Sequence, residues 1–347
     1  LRENLFPYLA DLLEKQLPFL LLRTANTHRV RVVSQRDQKW YTTAPDNMTY
    51  AVFSEFQKSE NHVFIIAEDD QYFTINNNQS PAVQEINRLD LMEEVEQHRY
   101  VKLVEKAVTM LKDTPLKKVV LSRKQRFLKK ASDLKILSNL LDQYTEANCY
   151  FFYHPQVGKW MGATPEVLLS VKDGKLQTMS LAGTAIYKEN HLHHWGKKEL
   201  QEQELVTDFI IDHLHKKGAK DIRKSEVTTV QAGNLIHLRT DISASVSAED
   251  SSNFIDALHP TPAVCGMPRN QALKFILQHE NYERSFYTGY LGIVDECTAN
   301  YFVNLRCMQL YDQEVDLYVG GGVTASSNPQ AEYEETVNKL LTMKKVL

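Results

Sequence analysis

Three β-prone runs follow one another at residues 287–294, 301–310 and 315–319, with no helix-length pattern between them. Strands that come in neighbouring runs, and not in strict alternation with helices, predict an α+β chain with large, mostly antiparallel sheets. The rest of the chain fits that frame. Helices are expected at 92–111, 133–146, 197–216, 270–280 and 329–343, with further strands at 117–122, 149–154, 166–171, 227–230 and 235–243. Residues 1–91 mix short β-prone runs with polar turns and carry no obvious chemistry. No internal repeat and no Pro/Gly/Ser-rich linker marks a boundary, so a single domain spanning 1–347 is expected.

Bulk properties exclude several classes. The net charge is -4, which leaves no basic footprint for nucleic acid. The four cysteines, Cys149, Cys265, Cys297 and Cys307, form no CxxC pair, so a zinc or redox motif is not expected. Free thiols suit a reducing compartment. The longest apolar run, 17–22, is too short to span a bilayer, and no charged-then-apolar leader precedes it. A cytoplasmic protein is the expectation.

Several residues stand out chemically. Gly320, Gly321 and Gly322 follow a β-run and precede Asn328 and Pro329, a plausible N-cap and first helical residue. Such a glycine turn before a helix can receive an anion, although a plain tight turn explains it equally well. Glu332, Glu335 and Lys339 share one helix face by their i, i+3, i+7 spacing, which a solvated ion-paired face would also produce. Glu202 precedes Val206 by four and Phe209 by seven, which puts its carboxylate on the apolar stripe of its helix or at that stripe's edge. A buried carboxylate needs a cation, a proton or several donors. Two inward glutamates on separate helices, Glu202 and Glu335, could share a hard cation such as Mg2+. On the strands, Lys118 shares a face with Val120 and Ser122, Glu166 with Leu168, and Arg306 with Phe302 and Asn304. His191, His193 and His194 lack metal-site spacing and read as loop residues.

Seven segments in one order complete the pattern: Lys118-Val-Val-Leu-Ser-Arg123, Gly162-Ala-Thr-Pro-Glu-Val-Leu-Leu169, Leu181-Ala-Gly-Thr184, His237-Leu-Arg-Thr-Asp-Ile242, Leu258-His-Pro-Thr-Pro-Ala-Val264, Tyr301-Phe-Val-Asn-Leu-Arg306, and Gly320-Gly-Gly-Val323 with Glu332-Tyr-Glu-Glu-Thr336. In these segments the chain resembles the chorismate-utilising enzymes. The resemblance implies two large, mostly antiparallel sheets packed face to face with helices outside. It divides the chain into a variable N-terminal part, 1–91, and a catalytic core, 92–347. It implies Mg2+ at Glu202 and Glu335 with Glu332 beside them. It implies a chorismate-binding set of Arg306, Tyr287, Gly321, Gly322, Lys339, Thr184 and His259.

The same resemblance bears on the reaction. Lys118 stands where water-using members carry the base, and Glu166 is the implied acid, so conversion of chorismate to isochorismate is expected, for menaquinone or siderophore synthesis. Ala182 replaces the nucleophilic lysine of other members. Water as the nucleophile requires no glutaminase subunit, and a monomer is the family's common form. Formation of salicylate by further loss of pyruvate, or chorismate binding without catalysis, are the alternatives. Gln203, Cys265 and Ser285 depart from the family pattern, as does the segment 185–187.

Overall fold

The computed structural model describes residues 2–46, 48–57, 62–75, 94–187, 189, 193–232, 235–246 and 251–347. With strands and helices numbered along the chain, the first sheet runs in spatial order β14 (Gly266–Met267), β6 (Lys118–Leu128), β18 (Glu314–Val323), β17 (Cys307–Leu310), β8 (Gly158–Thr164), β7 (Asn148–His154), β1 (Phe19–Arg23), β2 (Arg29–Ser34) and β5 (Asp69–Thr74). The second runs β11 (Lys220–Lys224), β13 (Leu235–Ser245), β10 (Lys175–Ile186), β9 (Val167–Lys172), β16 (Thr298–Val303), β15 (Tyr290–Val294), β3 (Tyr50–Ser54) and β4 (Val63–Ile66), with β12 (Thr228–Ala232) also on β13. Among the described residues every strand pair is antiparallel.

Side-chain alternation sorts the core into three layers. On β1, Leu20 and Leu22 point into the space between the sheets, where they meet Phe53, Phe152 and Leu291. Phe19 and Leu21 point the other way, into a cluster with α1 (Arg2–Glu14), α2 (Glu94–Asp113), α3 (Asp133–Gln143), α6 (Arg269–His279) and α7 (Pro329–Lys344). Both faces of β1 are covered, which is why it reads as an unbroken apolar run. The outer face of the second sheet packs on α4 (Lys197–Lys216) and α5 (Ser251–Leu258) through Val206, Ile210, Leu214, Phe254 and Ile255. The sheets therefore pack face to face with helices outside. Between them Phe53 stacks on Phe286 at 4.4 Å, and truncating such a buried ring to alanine costs about 3–5 kcal/mol.

The N-terminal strands belong to both sheets. β1, β2 and β5 extend the first, and β3 and β4 extend the second. Among the described residues no helix is long and apolar enough to cross a membrane.

Two sequence expectations change here, and both changes bear on the site. The expected strand at 301–310 is two strands in different sheets, β16 and β17. Residues 304–306 carry the chain across, so strand alternation stops, and Arg306 takes φ 47 instead of sharing a strand face with Phe302. Asn304 fixes the crossing: its amide donates to Phe286 O at 2.8 Å and its Oδ1 accepts from Tyr150 Oη at 2.6 Å. Second, Gly320, Gly321 and Gly322 are not a turn. They lie inside β18, in register with Ser122, Leu121 and Val120 of β6. The helix start expected after them is present, with Asn328 Oδ1 accepting from Ala331 N at 3.0 Å. The expected first helix begins at Glu94, and Met92 lies outside the described residues.

Candidate active site

One cavity opens between β6 and β18 of the first sheet, β10 and β13 of the second, and helices α4 and α7. It encloses about 1110 Å³, its open mouth included. Lys118, Glu166, Glu202, Tyr287, Arg306, Gly321, Gly322, Glu332, Glu335 and Lys339 all line it. Residues from both sheets and from two outer helices thus converge on one space.

Lys118 is 2% exposed and donates to Glu202 Oε1 at 2.6 Å. Its strand is pinned by a buried ion pair. Arg284 grips Glu280 at 2.6 and 2.8 Å and donates to Val120 O at 2.7 Å, while Glu280 Oε1 accepts from Ser122 N at 2.7 Å. The next strand residues after Lys118 on the same face are thereby locked, which aims the amine. On α4, Gln203 does similar work beside Glu202. Its Nε2 lies 2.8 Å from Ser180 Oγ, 3.0 Å from Ser180 O and 3.1 Å from Thr240 Oγ1, joining the helix to β10 and β13.

Glu166 lies just before β9, not within it, and Val303 N donates to its carbonyl at 3.1 Å. The residue is 4% exposed. Burial pushes its pKa up to about 7, and the charge of Lys118 pulls the other way without prevailing. A carboxyl in that range holds its proton part of the time at neutral pH and can give it away.

The bare backbone of β18 explains the glycines. A Cβ on Gly322 would stand 2.9 Å from Lys118 Cε and 3.0 Å from Glu202 Oε1. One on Gly320 would stand 3.0 Å from Tyr287 Oη. On the opposite face, a Cβ on Gly321 would meet Glu332 Oε2 at 3.6 Å and Glu335 Oε1 at 3.8 Å, an ordinary contact. The pairing of β18 with β17 ends at Leu317, so along the glycines the strand has a described ladder partner only in β6. Lys339 uses that edge, donating to Gly320 O at 3.0 Å and pairing with Glu335 at 2.7 Å.

Arg306 lines the same cavity. Its left-handed φ is unusual for a side chain of this size and is held by the Asn304 crossing. His237 on β13 receives it. The His237 Nδ1 lies 3.0 Å from Gly183 O, an acceptor, so Nδ1 carries the proton and Nε2 accepts from Arg306 Nη2 at 3.2 Å. Burial, with Arg306 and Lys339 nearby, pushes the pKa of His237 down to about 3 and keeps the ring neutral. Burial also lowers the pKa of Arg306. His237 received no role from the sequence, although it opens one of the seven segments. Only its position on a strand that brings it to Arg306 reveals it.

One expected substrate contact, His259, is not among the residues that line the cavity. His259 is 2% exposed, and its Nε2 lies 3.1 Å from Phe56 O and 3.3 Å from Glu55 O. That pairing ties the segment before Pro260 to the end of β3, away from the cavity lining. Thr184 is on β10, but its side chain lies outside the described part. His191 likewise lies outside the described residues, and His193 and His194 are in the loop before α4. Ser285 has φ 50, a region glycine enters without strain.

The metal expectation can be tested on donor chemistry. Glu202, Glu332 and Glu335 offer only carboxylate oxygens, the donor type that a hard cation such as Mg2+ takes. They flank the two bare glycines from both sides. Their spacing is not that of a closed cage: among the described residues no group of three or more His, Cys, Asp or Glu stands close enough to hold a metal. Glu202 and Glu335 each hold a lysine instead.

The profile of the family described as "Chorismate binding enzyme" matches residues 31–347. The chain belongs to the chorismate binding enzyme family. Among curated relatives, the isochorismate synthase MenF of Escherichia coli (strain K12) is 29% identical over 265 residues, 72% of this chain and 60% of MenF. The isochorismate synthase EntC of the same organism is 28% identical over 275 residues, 75% of this chain and 70% of EntC. The chain thus aligns with less than two thirds of MenF's length. The solved structure of the E. coli menaquinone-specific isochorismate synthase MenF superposes with a TM-score of 0.82 at 19% identity, covering 95% of this chain and 88% of that one. That likeness shows the chorismate binding enzyme fold.

Proposed function

We propose that this cavity converts chorismate to isochorismate, adding water at ring carbon 2 and releasing the hydroxyl from carbon 4. The observation that carries the proposal is the placing of a buried amine, Lys118, and a buried carboxyl with a pKa near 7, Glu166, on one cavity that Glu202, Glu332 and Glu335 also line. The curated relatives named above are isochorismate synthases, which supports the same reading.

In this reading Lys118 takes a proton from the incoming water. Its 2.6 Å contact with Glu202 aims the amine into the cavity but also occupies it, so the base role requires that contact to loosen. Glu166 gives its proton to the departing hydroxyl. Arg306, oriented by His237, clamps one carboxylate of the substrate with two parallel hydrogen bonds. Tyr287 and the open edge of Gly321 and Gly322 position the rest, with Lys339 beside them. Mg2+, held by Glu202 and Glu335 with Glu332 adjacent, would offset the charge of the dicarboxylate and polarise its ring carboxylate.

Water as nucleophile calls for no glutaminase subunit, and the chain is read as one domain acting as a monomer in the cytoplasm. The isochorismate formed serves menaquinone or siderophore synthesis. Titration with Mg2+ tests the metal set: turnover should rise saturably and vanish in Glu335→Ala. Turnover indifferent to chelation would refute the role given to these glutamates.

A further inference from the structure

We propose a second binding site, for a small multiply charged anion bearing phosphoryl or carboxylate oxygens, in the groove between α2 and α6 behind β6. The groove is lined by Arg99, Lys102, Lys106, Arg123, Gln278 and His279, among others, and shares no lining residue with the candidate active site. It holds four cationic side chains against a single carboxylate, Glu96, which pairs with Arg99. The whole chain carries a net charge of -4, so this local excess is not a sample of a generally basic surface.

The cations are arranged, not scattered. Arg99, Lys102 and Lys106 follow one another at spacings of three and four and share a face of α2. Arg123 comes from β6 and is 4% exposed. Its guanidinium is held in place: Nε donates to Thr336 Oγ1 at 2.8 Å, Nη1 to Gln125 Oε1 at 3.0 Å, and the group lies 5.0 Å from the centre of the Tyr333 ring. The guanidinium so fixed places a positive charge at the floor of the groove, beneath the α2 cations. Lys106 Nζ lies 3.3 Å from His279 Nδ1, so its ammonium contacts a neutral ring and leaves its charge uncancelled at that contact. Burial and Lys106 itself hold the pKa of His279 below its ordinary value, which keeps that ring neutral. Gln278 and Asn281 add amide donors at the rim.

The test is calorimetric titration of the full chain with inorganic pyrophosphate and, separately, with tricarballylate, in metal-free buffer at constant ionic strength. Saturable binding of either probe is expected; pyrophosphate alone would assign phosphoryl chemistry, and tricarballylate alone a polycarboxylate. The Lys102→Ala/Lys106→Ala double variant, altered only at exposed positions, should bind at least about tenfold more weakly. A Lys15→Ala/Lys216→Ala variant loses the same charge at exposed positions elsewhere and should keep the wild-type affinity. Absence of saturable binding, unchanged affinity in the first variant, or equal loss in both would overturn the proposal. None of these outcomes depends on the reaction proposed for the other cavity.

Discussion

The Lys118 amine and the Glu202 carboxylate meet at 2.6 Å with 3% and 15% of their side chains exposed. The pair joins β6 of the first sheet to α4, which packs on the second, and both residues line the cavity. It also sets the alternatives for each partner, since an oxygen given to Lys118 is not given to a metal. Lys118→Gln keeps a polar group of similar length and should leave the fold intact. Turnover should fall by about 10²–10⁴ if the amine is the base. Circular dichroism with steady-state kinetics checks both halves; near-wild-type turnover removes Lys118 from the role.

Glu166 gives a prediction with a definite sign. Its folded pKa of about 7 lies above the ordinary value of 4.5, so the folded state binds the proton more tightly than the unfolded one. This group therefore favours folding below pH 4.5 and loses that contribution as pH rises through 7. Glu166→Gln should abolish turnover yet raise stability at pH 8, by on the order of 2–3 kcal/mol, with the gain fading in acid. Urea unfolding of both proteins at pH 4 and pH 8 measures it; a variant less stable than wild type at pH 8 would contradict the burial argument.

The two neighbouring glycines should behave differently. Gly322→Ala puts a methyl within 3.0 Å of both Lys118 Cε and Glu202 Oε1 and should displace the pair, costing activity more than stability. Gly321→Ala meets its neighbours at 3.6 Å or beyond and should be tolerated. Parallel kinetics on the two variants decide the matter, and equal losses would show that the Lys118–Glu202 contact is not what Gly322 protects.

His237 predicts acid sensitivity of the opposite sign to Glu166. Its folded pKa of about 3 lies below the ordinary 6.5, so the unfolded state binds the proton first. Stability from this group is complete above pH 6.5 and drains away as pH falls toward 3, by several kcal/mol at most. His237→Gln should flatten the acid side of the stability profile and raise KM through a loosened Arg306. An unchanged acid limb would show that the ring is not buried neutral.

Much of this arrangement is legible in the sequence. Periodicity put Glu332, Glu335 and Lys339 on one face, and that face lines the cavity. The helix at 197–216 follows from its apolar stripe, and its bounds agree to the residue. What failed did so where local sequence signals and tertiary packing disagree. Arg306 looked like a strand residue because nothing local announces that the chain changes sheets after Val303. Gly320, Gly321 and Gly322 looked like a turn because glycine marks turns more often than strands with crowded faces. His259 and His237 were indistinguishable by sequence; only the fold turns one toward the carbonyl of Phe56 and the other toward Arg306.

Product analysis tests the central reading most directly. Purified protein incubated with chorismate and Mg2+ should yield isochorismate as its sole product, resolved by chromatography, with no pyruvate released. Salicylate accompanied by stoichiometric pyruvate would contradict that product assignment, and chorismate recovered unchanged would contradict the assignment of this cavity as a catalytic site.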